Sequence, residues 1–417
     1  MLDLSGGDVA TYVEFQQCTF GDSILVTDAR ASTLRFVNCT IPHFDGTRLH
    51  TIGDLHLPRS VISGGLVLRN ARIGMDLLLN QARLQNWRQG CLAADGLTVG
   101  QDLMAEGMQA SGEISLADAQ IGSSLSFRGS RLMSRAGQAL NAPRLSVDRS
   151  VYFSPSQGQE TTVEGGLKLD DARCGRAVDL EGVRLNLRGE SLSLRGMQAS
   201  ELRFTPAEVS GGEVVLAEAV VNTLVDQAES WPENNLDLSG FTYRRLLPSR
   251  VFSIEQRLQW LAAATSEYDP QPYEQLATCL RASGEPHDAD TVLLNRMRRR
   301  RETLSRAARA WDVLQDVTFG YGYRPARAAG WLILFWLAGS VWFSLRPPAP
   351  MKAGEGPTWS APVFTLDLLL PILDLGQENQ WRTAGVSLWL TVVLSFVGWV
   401  LATSVAVGAA AVLLRRN

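Results

Sequence analysis

The sequence is poor in groups that perform redox or metal chemistry. Its five cysteines, Cys18, Cys39, Cys91, Cys174 and Cys279, are odd in number, far apart and never in Cys-x-x-Cys spacing. They read as small buried apolar residues of a reducing compartment. No Gly-x-Gly-x-x-Gly stands between a strand and a helix, and no His or Cys pair has haem or iron–sulfur spacing, so no cofactor is assigned. His43, His50 and His56 are near one another in the chain, but no fixed spacing joins them to a carboxylate or thiol, and no metal site is assigned. No catalytic motif is found, and an enzyme is not the expectation. The opening residues lack a basic stretch followed by an apolar one, so the large N-terminal part is expected to stay in the cytoplasm. Strong net charge is also missing, with 39 basic against 43 acidic residues. Acidic residues dominate the first half and arginines crowd the approach to the C-terminal apolar runs, so nucleic acid is not an expected partner.

Helical periodicity is absent from about Val13 to about Val221, and a repeat stands in its place. Leu66-x-Leu68-x-x-Ala71-x-Ile73, Ile114-x-Leu116-x-x-Ala119-x-Ile121 and Leu167-x-Leu169-x-x-Ala172-x-Cys174 share one pattern. Each is followed eleven residues on by a second copy, starting at Leu77, Leu125 and Val178. The stretches from Leu92, Leu140 and Leu192 carry it too. Alternation within each Leu-x-Leu puts both side chains on one face, and the next two residues turn a corner. Gly65, Gly100, Gly112, Gly122, Gly166 and Gly175 recur near these corners, where a left-handed or bulged backbone suits glycine. Starts at 66, 92, 114, 140, 167 and 192 give coils of about 22 to 27 residues. The expectation is a β-solenoid, a right-handed parallel β-helix with an apolar inward stack, over residues 1–247. Val13 to Ile41 is looser, with Phe15, Phe20 and Leu25 at a five-residue beat. It resembles the quadrilateral helices of pentapeptide-repeat proteins and suggests an N-terminal cap. Outward carboxylates such as Asp170, Asp171, Asp179 and Glu181 admit an acid pair of the glycosidase kind, but such residues ordinarily keep a solenoid soluble and its edges unpaired.

Residues 248–327 read as a helical connector. Ile254, Leu258 and Leu261 form one helical stripe; Tyr273, Leu276 and Leu280 form a second; Pro286 opens a third helix. The second and third together resemble a single tetratricopeptide-like helix pair. Arg296, Arg298, Arg299, Arg300, Arg301, Arg306 and Arg309 follow, then Arg324 and Arg327. Arginines in this juxtamembrane position are drawn to anionic lipid by about 1 kcal/mol each and fix orientation by the positive-inside rule. Trp311, Leu314, Val317 and Phe319 between them predict an interfacial amphipathic helix.

Residues 328–417 read as a transmembrane hairpin. Ala328 to Leu345 and Val386 to Leu414 carry no charge and approach or exceed the ~20 residues that span a bilayer. Arginines on both outer flanks predict cytoplasmic termini at a bacterial inner membrane. Gly398, Ala402, Ala406 and Ala410 recur every four residues, a small-residue face for helix packing that points to a homo-oligomer. The insert 357–382 is too short to span and too apolar for an exposed loop, which predicts a re-entrant or interfacial helix.

Span, short helix and span resemble the pore module of two-span ion channels in layout. That likeness would make Asp367, Asp374, Gly376 and Glu378 a pore or its mouth, although the potassium filter pattern is absent there. The chain as a whole resembles a family of bacterial membrane proteins with LDLSGARL-type repeats, a QPYEQLA helix pair, an arginine run and GYGYRP. The matching pieces are Leu77 to Leu84, Ala93 to Gly100, Gln271 to Ala277 and Gly320 to Pro325. Members are often labelled membrane-associated oxidoreductase, which would imply a redox cofactor. The expected function is a membrane-anchored cytoplasmic solenoid acting as oligomeric scaffold or sensor, with the lipid bilayer and a protein on the solenoid surface as partners; the alternative is a channel gated by the solenoid.

Overall fold

Short runs of alternating apolar residues bury only one face each, so they become stable by stacking on copies of themselves. The computed structural model describes the chain except residues 233, 265–267, 302, 303, 307, 310, 311, 314, 315, 317–324, 352–357, 371–374 and 415–417. Two units are present, Met1–Val292 and Leu293–Asn417.

The first unit is a parallel β-solenoid of about eleven coils. Each full coil places short strands in four columns, and every strand pairs in parallel with its counterpart one coil on. In the first column Leu66 pairs with Leu92, Leu92 with Ile114, Ile114 with Leu140, Leu140 with Leu167 and Leu167 with Leu192. The second copies form the third column, where Leu77 pairs with Leu103 and Leu103 with Leu125. Along the first column coils advance by between 20 residues, Ile24 to Phe44, and 27, Leu140 to Leu167, while in the fourth Leu132 pairs with Val163, 31 residues on. Leu66, Leu68, Ala71 and Ile73 are all buried, as the pattern requires. The segment expected as a cap pairs in the same columns, Ile24 with Leu2 and Phe44, and Val13 with Leu34. Its interior is aromatic, with Phe15 stacked on Phe36 at 5.2 Å.

One corner repeats in every coil. The fourth residue after the first-column apolar residue has positive φ: Gly6, Asp28, Arg48, Asn70, Gly96, Asp118, Arg144, Asp171, Gly196, Glu218 and Gly240. The left-handed region is costly for residues with a Cβ, and pairing holds them there. The Asn70 N–H, for example, donates to the Asp95 carbonyl at 2.9 Å. Two of these corners hold arginines, each bidentate to the aspartate one coil before: Arg48 to Asp28 and Arg144 to Asp118, all at 2.6 Å.

The corner glycines differ from the expectation. Gly65 and Gly112 do have positive φ, whereas Gly100, Gly122, Gly166 and Gly175 do not. Space explains the second group: a Cβ on Gly100 would lie 2.1 Å from the Gly74 carbonyl oxygen, and one on Gly122 would lie 2.3 Å from that of Gly100.

Helices close the solenoid's C-terminal end. In α1, Ile254–Ala263, Ser253 and Gln256 form a capping box. Helix α2, Gln271–Ala282, lies on the last strand, where Gln271 donates to the Phe241 carbonyl at 3.1 Å. Arg257 of α1 reaches Asp226 through two hydrogen bonds of 2.5 and 2.8 Å, and both residues are buried. Helix α3, Pro286–Arg300, carries the start of the arginine run.

The second unit contains α4, Pro325–Leu345, α5, Ala361–Leu369, and α6, Val386–Leu414. Two stretches of it, Arg327–Leu345 and Val386–Thr403, are long and apolar enough to cross a membrane.

Candidate functional site

The site with the most distinctive chemistry is the short helix α5 and the turn after it. Phe364, Leu368 and Leu369 form a core with Phe343 of α4 and Leu394 of α6. Two glycines allow the close approach. A Cβ on Gly339 would meet Thr365 Cγ2 at 2.5 Å, and one on Gly398 would meet Leu369 Cα at 2.5 Å. The Trp336 indole donates to the Pro362 carbonyl at 2.9 Å, and the Trp359 and Trp381 rings meet edge to face at 4.8 Å. Ala349–Pro350 pairs antiparallel with Trp381–Arg382, which joins the stretch after α4 to the end of the insert.

Asp367 is buried within this arrangement, 4% exposed. One of its oxygens accepts the Leu375 N–H at 2.7 Å; the other accepts those of Gln377 at 2.8 Å and Glu378 at 2.9 Å. A buried carboxylate that gathers three backbone donors is satisfied by them, and it fixes the turn. Gly376, at φ 72, and Glu378 are exposed on that turn. Asp374 lies outside the described residues.

The arginine run divides. Arg298 holds Asp316 through two bonds of 3.0 and 3.1 Å. Arg301 reaches Asp312 at 2.7 Å and Asp316 at 2.9 Å, and Arg327 donates to the Asp316 carbonyl at 3.3 Å. Both aspartates are buried. Burial works to raise the Asp316 pKa, but the hydrogen bonds and charges of Arg298 and Arg301 outweigh it and hold the carboxyl below its ordinary value. The sequence signal for these acids was weak, because they sit in a stretch read by its apolar residues. Arg296 and Arg299 are half-buried, and Arg300, Arg306 and Arg309 are exposed. Arg324 lies outside the described residues, as do Trp311, Leu314, Val317 and Phe319.

Of the small-residue face on α6, Gly398 packs on Leu369 of the same chain and Ala402 is buried. The side chains of Ala406 and Ala410 are outside the description. Trp389, Val392, Phe396 and Trp399 form an exposed apolar stripe, each at least half exposed.

In the solenoid several of the candidate groups are engaged, and His50 lies on a short strand paired with Arg30 and Arg72. His43 Nδ1 contacts the Gly64 carbonyl at 3.0 Å and His56 Nε2 contacts Asp54 at 3.0 Å, on different columns. Asp170 pairs with Lys168 at 3.2 Å, Glu181 with Arg203 at 3.1 Å, and Asp179 accepts the Glu181 N–H at 3.0 Å. Asp171 is one of the left-handed corners. Among the described residues, no group of three or more His, Cys, Asp or Glu side chains converges to hold a metal. Comparison with protein-family models, curated proteins and solved structures gave no match.

Proposed function

We propose that this protein is a membrane-anchored scaffold or sensor, in which α4 and α6 cross a bacterial inner membrane and hold the solenoid on its cytoplasmic side. The observation that carries this reading is the use made of Asp367. Its oxygens are taken up by the chain's own Leu375–Glu378 turn, which fastens that turn to the short helix and supports a structural role for the carboxylate.

In this reading α5 is re-entrant. Its start packs near Phe343 and its end near Gly398, while the paired strands bring the end of the insert back to the stretch after α4. Backbone at membrane depth is tolerated where protein covers it, and the two spans do so. In this reading the exposed side chains of Arg300, Arg306 and Arg309 meet anionic headgroups, and the Trp389 to Trp399 stripe faces lipid or a second copy. The solenoid supplies a long rigid face of mixed charge for a protein partner.

The channel reading draws on exposed Glu378 at the same turn. Reconstitution separates the two. Purified protein in proteoliposomes is expected to bind its vesicles stably and pass no cation flux in monomeric or cross-linked form. A flux that an Asp374→Asn or Glu378→Gln change abolishes would establish the pore instead.

A further inference from the structure

We propose that Cys18 and Cys39 are a reversible disulfide pair that joins two consecutive coils of the solenoid. The register brings them together. Gln16 pairs with Val37 and Thr19 with Thr40, so Cys18 and Cys39 occupy equivalent positions in adjacent coils. Each follows a left-handed corner residue of the same geometry, Gln17 and Asn38, both at φ 52. Adjacent strands are about 4.8 Å apart, inside the ~4.4–6.8 Å range of Cα separations that a disulfide bridges. The Thr40 N–H donates to the Cys18 carbonyl at 2.9 Å, which holds the two coils together beside this pair. At present the two thiols point at backbone oxygens, Cys18 at Gln16 O, 3.3 Å away, and Cys39 at Phe15 O, 3.4 Å away.

Accessibility sets the order of events. Cys18 is half-buried and Cys39 buried. Burial raises the Cys39 thiol pKa, which makes it the poorer first nucleophile. With hydrogen peroxide as oxidant, Cys18 Sγ attacks one peroxide oxygen and the other leaves as water, giving a sulfenic acid. Cys39 Sγ then attacks that sulfur, and the second oxygen leaves as water with the Cys39 proton. Two thiols lose two electrons and peroxide becomes two waters. A dithiol reductant reverses the bond.

The other three cysteines have no such neighbour. Cys174 pairs with Val147 and Ala199, while Cys91 and Cys174 are buried and their thiols pushed up to about 12. A disulfide here would tie the Phe15, Phe20 and Phe36 cluster in place. It would make the first coils a redox-sensitive end of the scaffold.

The test uses the full chain in detergent, treated with millimolar hydrogen peroxide, alkylated, and digested without reduction for mass spectrometry. The expected result is a peptide linking Cys18 to Cys39, lost on adding dithiothreitol, with the other three cysteines alkylated. In Cys39→Ser, Cys18 should be trapped by dimedone as its sulfenic acid, with no linked peptide. In Cys18→Ser, Cys39 should stay a thiol. The proposal is overturned if both residues stay alkylatable in the wild-type chain, or if Cys18 links two copies of the protein.

Discussion

Gly398 of α6 lies against the backbone of Leu369, so close that a Cβ would come within 2.5 Å of the Leu369 Cα and carbonyl oxygen. No side-chain rotation relieves a clash with backbone. A Gly398→Leu change is expected to push α5 out of its seat between α4 and α6 while leaving both of those helices formed. A cysteine placed at Thr365, buried in the native protein, should then become reactive to a water-soluble maleimide. Unchanged protection would argue that α5 is not held there.

Asp367 is predicted to act as a fastener. Asp367→Ala strands three backbone N–H groups, at about 1–3 kcal/mol for the group lost. The midpoint of thermal unfolding in detergent should shift down by several degrees, and protease should cut the 375–382 turn faster. Equal cutting rates in variant and wild type would contradict the role.

Two solenoid glycines, Gly21 and Gly100, give a paired test. Gly21 has open space around its Cβ position and no positive φ, so Gly21→Ala should change stability by less than ~0.5 kcal/mol. In Gly100→Ala the new methyl would meet the Gly74 carbonyl at 2.1 Å, and overpacking of that kind costs about 1–3 kcal/mol. Denaturation midpoints of the two variants should therefore separate clearly.

For Asp316 the linkage has a definite sign. Its folded pKa lies below the ordinary carboxylate value, so its contribution is complete above the unfolded pKa, about 3.9, and is lost as pH falls through the folded value. Asp316→Asn should be less stable than wild type at pH 7, and the gap should close as pH falls below ~4. A constant gap over that range would show that Arg298 and Arg301 do not stabilise the charged form.

At the solenoid's end, Arg257→Ala leaves Asp226, 0% exposed, without its guanidinium partner, a loss of about 3–5 kcal/mol. Replacing both residues, Asp226→Leu with Arg257→Met, should recover much of that. A double variant as unstable as the single one would mean that the pair does more than neutralise itself.

The solenoid was legible because its repeat is a direct image of its geometry. Leu66 and Leu68 alternate inward, Ala71 follows the corner, and the same starts recur in one column. The first coils were harder to read, because Phe15, Phe20 and Phe36 replace the leucines that carry the pattern. The corner aspartates and arginines gave no signal, since a left-handed φ at Arg48 or Arg144 is imposed by the neighbouring coil rather than by residue type. In the second unit, length and apolarity marked the two helices. The partners of Asp367 lie eight to eleven residues away on backbone atoms, which no side-chain pattern reveals. Asp226 and Arg257 are 31 residues apart, and only the docking of α1 on the solenoid joins them.

The central claim is that the last part of the chain has lipid as its solvent. Alkaline carbonate extraction of membranes carrying the full chain tests it most directly, because that treatment strips proteins held only by surface charge. The chain is predicted to stay in the pellet and to leave it with detergent alone. Release into the carbonate supernatant would contradict the account.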